Sequence, residues 1–257
     1  MLVTRFAPSP TGPLHIGHLF HLIQVLKFAQ SSGAKVILRM EDHDTTRSRP
    51  EHTWTIMEQL KTWNLMSYFH GASNQKNRFQ RYEYILGLLQ EETYYCQCSR
   101  KDILSRNNKN AYDGYCRQKG YDSGHVRLKL PVSMLDPILK NREEDFSYIF
   151  CNVIDDIDQS VTHAIRGRDI EHYTKLQRSI FSLLGYIAPV YHHHDLLYDD
   201  SGKKISKRKK DSLPAGTIPE DSLQFLMNKL NLKSISKVNS IGDILGLTKE
   251  TFSLKSI

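Results

Sequence analysis

Apolar and polar positions along the chain alternate between two rhythms. A short, β-branched apolar run, LVTRFA at 2–7, ends at Pro8 and predicts a buried strand. Beyond a proline- and glycine-rich connector, Leu19, Leu22, Ile23 and Leu26 recur at helical spacing, predicting a helix from 16 to about 31 that closes near Gly33. AKVILRM at 34–40 predicts a second buried strand. Strand, helix and strand in that order open an α/β fold with a Rossmann-like, doubly wound parallel sheet, whose ligands sit beyond the carboxyl ends of the strands. Further helices are predicted over 51–64 and 78–93. From Tyr94 to about Glu144 the chain turns polar around one strand, HVRLKL, and reads as an insertion. NVIDDIDQSVTHAIRG at 152–167 reads as strand again, before a helix around 171–184, a charged loop and a small helical tail over 219–257. The expected division is 1–93 and 145–210 for the halves of the sheet domain, 94–144 for an inserted zinc-binding subdomain, and 211–257 for a C-terminal helical tail.

Composition narrows the setting. Thirty-five Lys and Arg against 28 Asp and Glu give a net charge of +7, which permits a polyanionic partner such as RNA without requiring one. Four cysteines in 257 residues are not a disulfide framework. With no signal-peptide pattern and no membrane-spanning run, the expected setting is the cytoplasm, with no membrane contact.

The connector RFAPSPTGPLHIGH places His15 and His18 three apart around Gly17 at a helix start, where free N–H groups and the helix dipole favour anions. That suits a nucleoside triphosphate, although a bare HxxH also serves as a helix cap with surface histidines. In GKKISKRKK, six of the eight residues from Lys203 to Lys210 are Lys or Arg. Such a loop can neutralise charge growing on a leaving pyrophosphate, with Lys207 the leading candidate, or it can be a solvated face. Cys96, Cys98 and Cys116, with Tyr112, supply three thiols and a phenol that a structural zinc could gather; ordinary reduced cysteines are the alternative. In the strand around HHH (192–194), His192 and His194 face one way and His193 the other, which suggests a polar edge near the nucleotide. Taken alone, Arg5 and Glu41, on adjacent strands, could be a simple ion pair.

Taken together, HIGH (15–18) and KISKR (204–208) resemble the two signature motifs of the class I aminoacyl-tRNA synthetases. TRFAPSPTGPLHIGH, RMEDHDTTR, YDG, NVIDD, VTHAIRGRDI and SGKKISKRK follow one another from 3 to about 210 and resemble the glutamyl-tRNA synthetase catalytic-domain family. The resemblance implies a ligase in which His15, His18, Lys204 and Lys207 are catalytic and magnesium accompanies ATP. It implies an ATP site of His15, Gly17, His18, His193, Ser206 and Lys207. The implied L-glutamate site comprises Arg5, Phe6, Ala7, Pro8, Ser9, Glu41, Tyr148, Asn152 and Arg166. In it the arginines take carboxylates and Glu41 takes the ammonium.

YYCQCSR and YDGYCR resemble the zinc site of the glutamyl-Q tRNA(Asp) synthetase branch, which implies Tyr112 as a fourth ligand beside Cys96, Cys98 and Cys116, and leaves Cys151 as a core residue. That branch implies glutamate activation without tRNA and transfer to queuosine in the anticodon stem-loop of tRNA(Asp), by a monomer. With some fifty residues after the lysine loop, no anticodon-reading module is expected, in keeping with that branch. Two departures stand out. The segment between EDF and Tyr148 is shorter than the family's strand-turn-strand, and Ile157 and Ser160 replace a histidine and a glycine after the paired aspartates. Two alternatives stay open: a truncated or paralogous glutamyl-tRNA synthetase charging a tRNA 3′ end, and a catalytically silent tRNA-binding protein.

Overall fold

The computed structural model describes residues 1–107, 111–131, 134–198, 205, 213–232 and 238–247. Strand β1 (Val3–Phe6), helix α1 (Ile16–Ser32) and strand β2 (Lys35–Met40) form the predicted βαβ unit, with β1 and β2 parallel and Arg5 opposite Ile37. Helix α1 ends at Gly33, whose φ of 69° takes the left-handed turn that a side chain would disfavour. After α2 (Pro50–Thr62), β3 (Phe69–Asn74) adds in parallel to the other edge of β2. The sequence pattern does not announce β3. FHGASN lacks apolar alternation, and it is a strand because its backbone completes the ladder with β2.

Helix α3 (Phe79–Leu88) leads into β4 (Thr93–Cys96), α4 (Arg100–Asn107), β5 (His125–Leu128) and β6 (Ile138–Lys140). The strands β4, β5 and β6 form a separate antiparallel sheet, within the span expected for the insertion. Its Leu128 and Leu139 share a core with Tyr82 of α3 and with Phe150 and Ile180 farther along.

The expectation of strand across 152–167 is corrected in its first half: Tyr148–Asp158 is helix α5. Ile149, Phe150, Val153, Ile154 and Ile157 recur at three- and four-residue spacing, and helix packing outweighs the β preference of the branched side chains. Strand β7 (His163–Gly167), a 3-10 turn, α6 (Thr174–Leu183) and β8 (Val190–His194) follow. β7 and β8 are parallel, and Thr162 N donates to Val3 O (2.9 Å) beside β1. The strands thus succeed one another as β3-β2-β1-β7-β8, and the order of succession reverses between β1 and β7. Such a reversal opens a crevice at the carboxyl ends of the strands.

Helices α7 (Glu220–Lys229) and α8 (Ile241–Leu247) return to the first core, where Leu223, Leu226, Ile244 and Leu245 pack with Leu19, Leu22, Ile23 and Leu26. Among the described residues no helix is long and apolar enough to cross a membrane.

Candidate active site and thiol cluster

The crevice between β1 and β7 holds a cavity of about 520 Å³. Its walls include Arg5, Phe6, Ala7, Pro8 and Ser9 from the end of β1 onward, and His15, Gly17 and His18 from the start of α1. Glu41 after β2, Tyr148 at the start of α5, and Arg166 and Gly167 of β7 close it.

The histidine turn is a cap with a chemical consequence. His15 Nδ1 accepts from Gly17 N (3.1 Å), and His18 Nδ1 accepts from His15 N (3.1 Å). A neutral imidazole that accepts at Nδ1 carries its proton at Nε2, so each ring keeps an Nε2–H donor. The ring centroids lie 3.8 Å apart at the positive end of α1, an arrangement suited to an anion. Gly17 leaves room for this cap: a Cβ there would lie 2.9 Å from His15 Cε1 and displace the ring. The cap and anion readings of this motif are therefore one geometry.

Charged groups of the same wall are arranged in a fixed frame. Arg5 Nε donates to Asp156 Oδ1 (3.1 Å), which also receives Arg39 Nη2 (2.6 Å). Arg5 Nη1 donates to Ile165 O (3.3 Å). Burial opposes the Arg5 charge, but Asp156, Tyr148 and Glu41 outweigh it and raise its pKa. Arg5 and Glu41 are thus not the simple ion pair that adjacency suggested; Glu41 Oε1 instead accepts from Asn152 Nδ2 (3.1 Å). Burial raises the Glu41 pKa against the opposing pull of His43, Arg39 and Arg5.

Arg166 has no carboxylate ion-pair partner among the described residues and is 2% exposed. It donates through Nε to His193 Nε2 (2.9 Å), Nη1 to Gln177 Oε1 (2.5 Å) and Nη2 to Thr174 Oγ1 (2.6 Å), and lies 4.3 Å over the Tyr191 ring. A guanidinium has five N–H groups, so these three bonds leave one hydrogen on each terminal nitrogen. Burial lowers the Arg166 pKa, and burial also raises that of Tyr148. The short passage from β6 to α5 is a closed turn, with Asn141 N donating to Asp145 O (2.9 Å) and Ser147 N to Leu139 O (2.8 Å), and it delivers Tyr148 to the cavity.

Lys204, Ser206 and Lys207 lie outside the described residues. Their flanks are tied to the cavity: Ile205 N donates to Leu197 O (3.0 Å), and Leu213 N to Leu14 O (3.0 Å). Gln59, fully buried, binds both Leu14 and Leu213. Ile205, within KISKR, and Leu213, beyond it, are therefore held beside the HIGH turn.

His193 differs from its expected position at the nucleotide. It is buried behind Arg166, while His194 takes the cavity wall with His21. His194 Nδ1 faces Asp195 O (2.9 Å), so it carries a proton, and His194 Nε2 accepts from His21 Nδ1 (3.0 Å). Sequence reading missed His21, Asp156 and Gln177. His21 was legible as the next member of the 15, 18, 21 spacing; a lone Gln177 carried no signal.

In the insertion, the Sγ atoms of Cys96, Cys98 and Cys116 lie within 4.8 Å of one another and are buried. Tetrahedral zinc with Zn–S bonds near 2.3 Å sets sulfurs about 3.8 Å apart, so this donor set fits zinc. The Tyr112 hydroxyl accepts from Cys116 N (2.8 Å) at the same place. Burial, then the Cys116 thiol, push the Cys98 thiol up to about 11, opposed by Arg106 Nη2 at 3.3 Å from its sulfur. Cys151 lies in the core, as expected.

The family model of class I tRNA synthetases (E and Q), catalytic domain, matches residues 1–131 and 120–244. A glutamyl-Q tRNA(Asp) synthetase of Rhodobacter capsulatus is 33% identical over 254 residues, covering 80% of this chain and 91% of that protein. A glutamate–tRNA ligase of Buchnera aphidicola is 32% identical over 292 aligned positions, 99% of this chain but 62% of that protein. A solved glutamate tRNA ligase of Elizabethkingia meningosepticum, in complex with its amino acid, matches with a TM-score of 0.70 and 26% identity, over 82% of this chain and 52% of that one. The chain thus spans less than two thirds of these two ligases.

Proposed function

Because this chain belongs to the class I tRNA synthetases of the glutamate and glutamine type, we propose that it activates L-glutamate with ATP and passes the glutamyl group to queuosine in the anticodon stem-loop of tRNA(Asp). The observation that carries this reading is one cavity lined by two buried arginines, a carboxylate and two helix-capping imidazoles. L-Glutamate has two carboxylates and one ammonium, and the Arg5, Arg166 and Glu41 set is its electrostatic complement. Tyr148 and Ser9 add hydroxyls, and Phe6, Ala7 and Pro8 supply the wall.

In the proposed first step, the α-carboxylate oxygen of glutamate attacks the α-phosphorus of ATP. A new O–P bond forms, the bond to the bridging oxygen breaks, and pyrophosphate leaves with the electron pair. The Nε2–H donors of His15 and His18 would stabilise charge on the phosphate oxygens, and Lys204, Ser206 and Lys207 would approach from the tethered loop. Magnesium brought with ATP would neutralise further phosphate charge. A ring hydroxyl of queuosine then attacks the activated carbonyl and expels AMP. No covalent enzyme nucleophile is required, because positioning and charge stabilisation suffice.

Zinc at Cys96, Cys98, Cys116 and Tyr112 would tie β4 to the segment before β5 and so define 94–144 as a subdomain. The flanking 1–93 and 145–210 would then form one catalytic domain, with 211–257 as its tail.

The glutamyl-Q reading is favoured by the near-full-length match to the Rhodobacter relative. A second reading, charging of a tRNA 3′ end, is favoured by the Buchnera ligase match over nearly all of this chain. Incubation with ATP, labelled L-glutamate and either queuosine-bearing tRNA(Asp), queuosine-free tRNA(Asp) or tRNA(Glu) separates them. Label retained only by the first supports the proposal; label on tRNA(Glu) supports the second reading, and label on neither overturns both transfer readings.

A further inference from the structure

We infer that Gln177 is a positioning residue for the amino-acid pocket, holding Arg166 and Glu41 in register through Asn152. The inference rests on the glutamate-binding reading above. Gln177 is fully buried on α6 and does not line the cavity. Its Oε1 accepts from Arg166 Nη1 (2.5 Å), and its Nε2 donates to Asn152 Oδ1 (3.1 Å). Asn152 Nδ2 in turn donates to Glu41 Oε1 (3.1 Å). Four segments meet in this chain of bonds: β7, α6, α5 and the residue following β2.

The direction of hydrogen bonding is fixed at both ends. A guanidinium only donates and an ionised carboxylate only accepts, so each intervening group must accept on one side and donate on the other. Two primary amides in series meet that condition, and neither can flip without setting like poles against each other. The chain therefore fixes the separation of the cation and the anion that would hold a carboxylate and the ammonium of the amino acid. Because the groups are buried, a broken link is not replaced by bulk water at no cost.

Two near-isosteric variants test this. Gln177→Met keeps length and removes both hydrogen bonds. Gln177→Glu keeps shape but accepts on both sides, so Asn152 must turn its carbonyl toward Glu41. Each is expected to raise KM for L-glutamate in ATP–pyrophosphate exchange about 10- to 100-fold, with KM for ATP within about twofold of wild type. The upward shift in melting temperature given by L-glutamate should shrink at a fixed glutamate concentration, while that given by ATP persists and shows the variant is folded. Should either fail to fold, Gln177→Asn keeps donor and acceptor on a shorter arm and should raise the glutamate KM alone, by less. Wild-type glutamate KM in these variants, or equal rises for glutamate and ATP, overturns the positioning role. If the wild-type protein gives no glutamate-dependent shift at all, the glutamate reading fails first and the inference falls with it.

Discussion

Arg5 and Glu41 face one cavity without pairing with each other: Asp156 holds Arg5 at 3.1 Å, and Asn152 donates to Glu41 at 3.1 Å. Neither group must break a mutual ion pair before meeting a zwitterion. Glu41→Gln keeps the shape and loses the charge, so it is expected to leave the fold intact and raise KM for L-glutamate by about 100-fold. Asp156→Asn is expected to do the reverse. It removes the negative charge that buried Arg5 and Arg39 share and should cost about 3–5 kcal/mol of stability, read by urea denaturation.

Gly17→Ala is expected to disturb the site more than the fold. The added methyl would press on the His15 ring at 2.9 Å and turn it off its cap with Gly17 N. Loss of that cap should cost about 1 kcal/mol, while exchange activity falls by at least about tenfold through a displaced phosphate donor. Parallel melting and kinetic measurements separate the two effects.

Acid should destabilise the protein below about pH 6.5. Burial, then Arg166, lower the His193 pKa to about 4, and burial also lowers His21, His163, His192 and His194. Between these pH values the unfolded chain binds protons that the folded protein refuses, so stability is complete above the unfolded pKa and is lost as pH falls. Glu41, raised by burial, works against this trend as a single group. For His193 alone the slope is on the order of 1 kcal/mol per pH unit. Melting temperatures should be level from pH 7 to 8 and decline from 6.5 to 5.

Metal removal gives an independent readout. The protein is expected to carry one zinc per chain by elemental analysis. Chelation or Cys116→Ala should lower the melting temperature and increase hydrogen exchange in β4 and β5, because the thiols bridge segments about twenty residues apart in sequence.

The α1 pattern and the βαβ unit were legible because their apolar residues face a single core at one clear period. The helical identity of 152–158 was not: Val153, Ile154 and Ile157 carry β-branched chains, and only packing against α3 and α6 selects the helix. The cavity-lining residues were named by the family resemblance of their motifs, and β1, α1 and β7 bring those residues together by topology. The partners behind them were not so named. Asp156 and Gln177 reach the site through long-range hydrogen bonds, and nothing local marks a buried glutamine as a link between a cation and an anion.

The most direct test is ATP–pyrophosphate exchange with L-glutamate in the absence of tRNA. The proposed glutamyl-Q function predicts glutamate-dependent exchange without any RNA, lost in Glu41→Gln at subsaturating glutamate. No exchange without tRNA but recovery on its addition would contradict tRNA-independent activation and move the account to the second reading. No exchange under either condition would contradict adenylate formation itself.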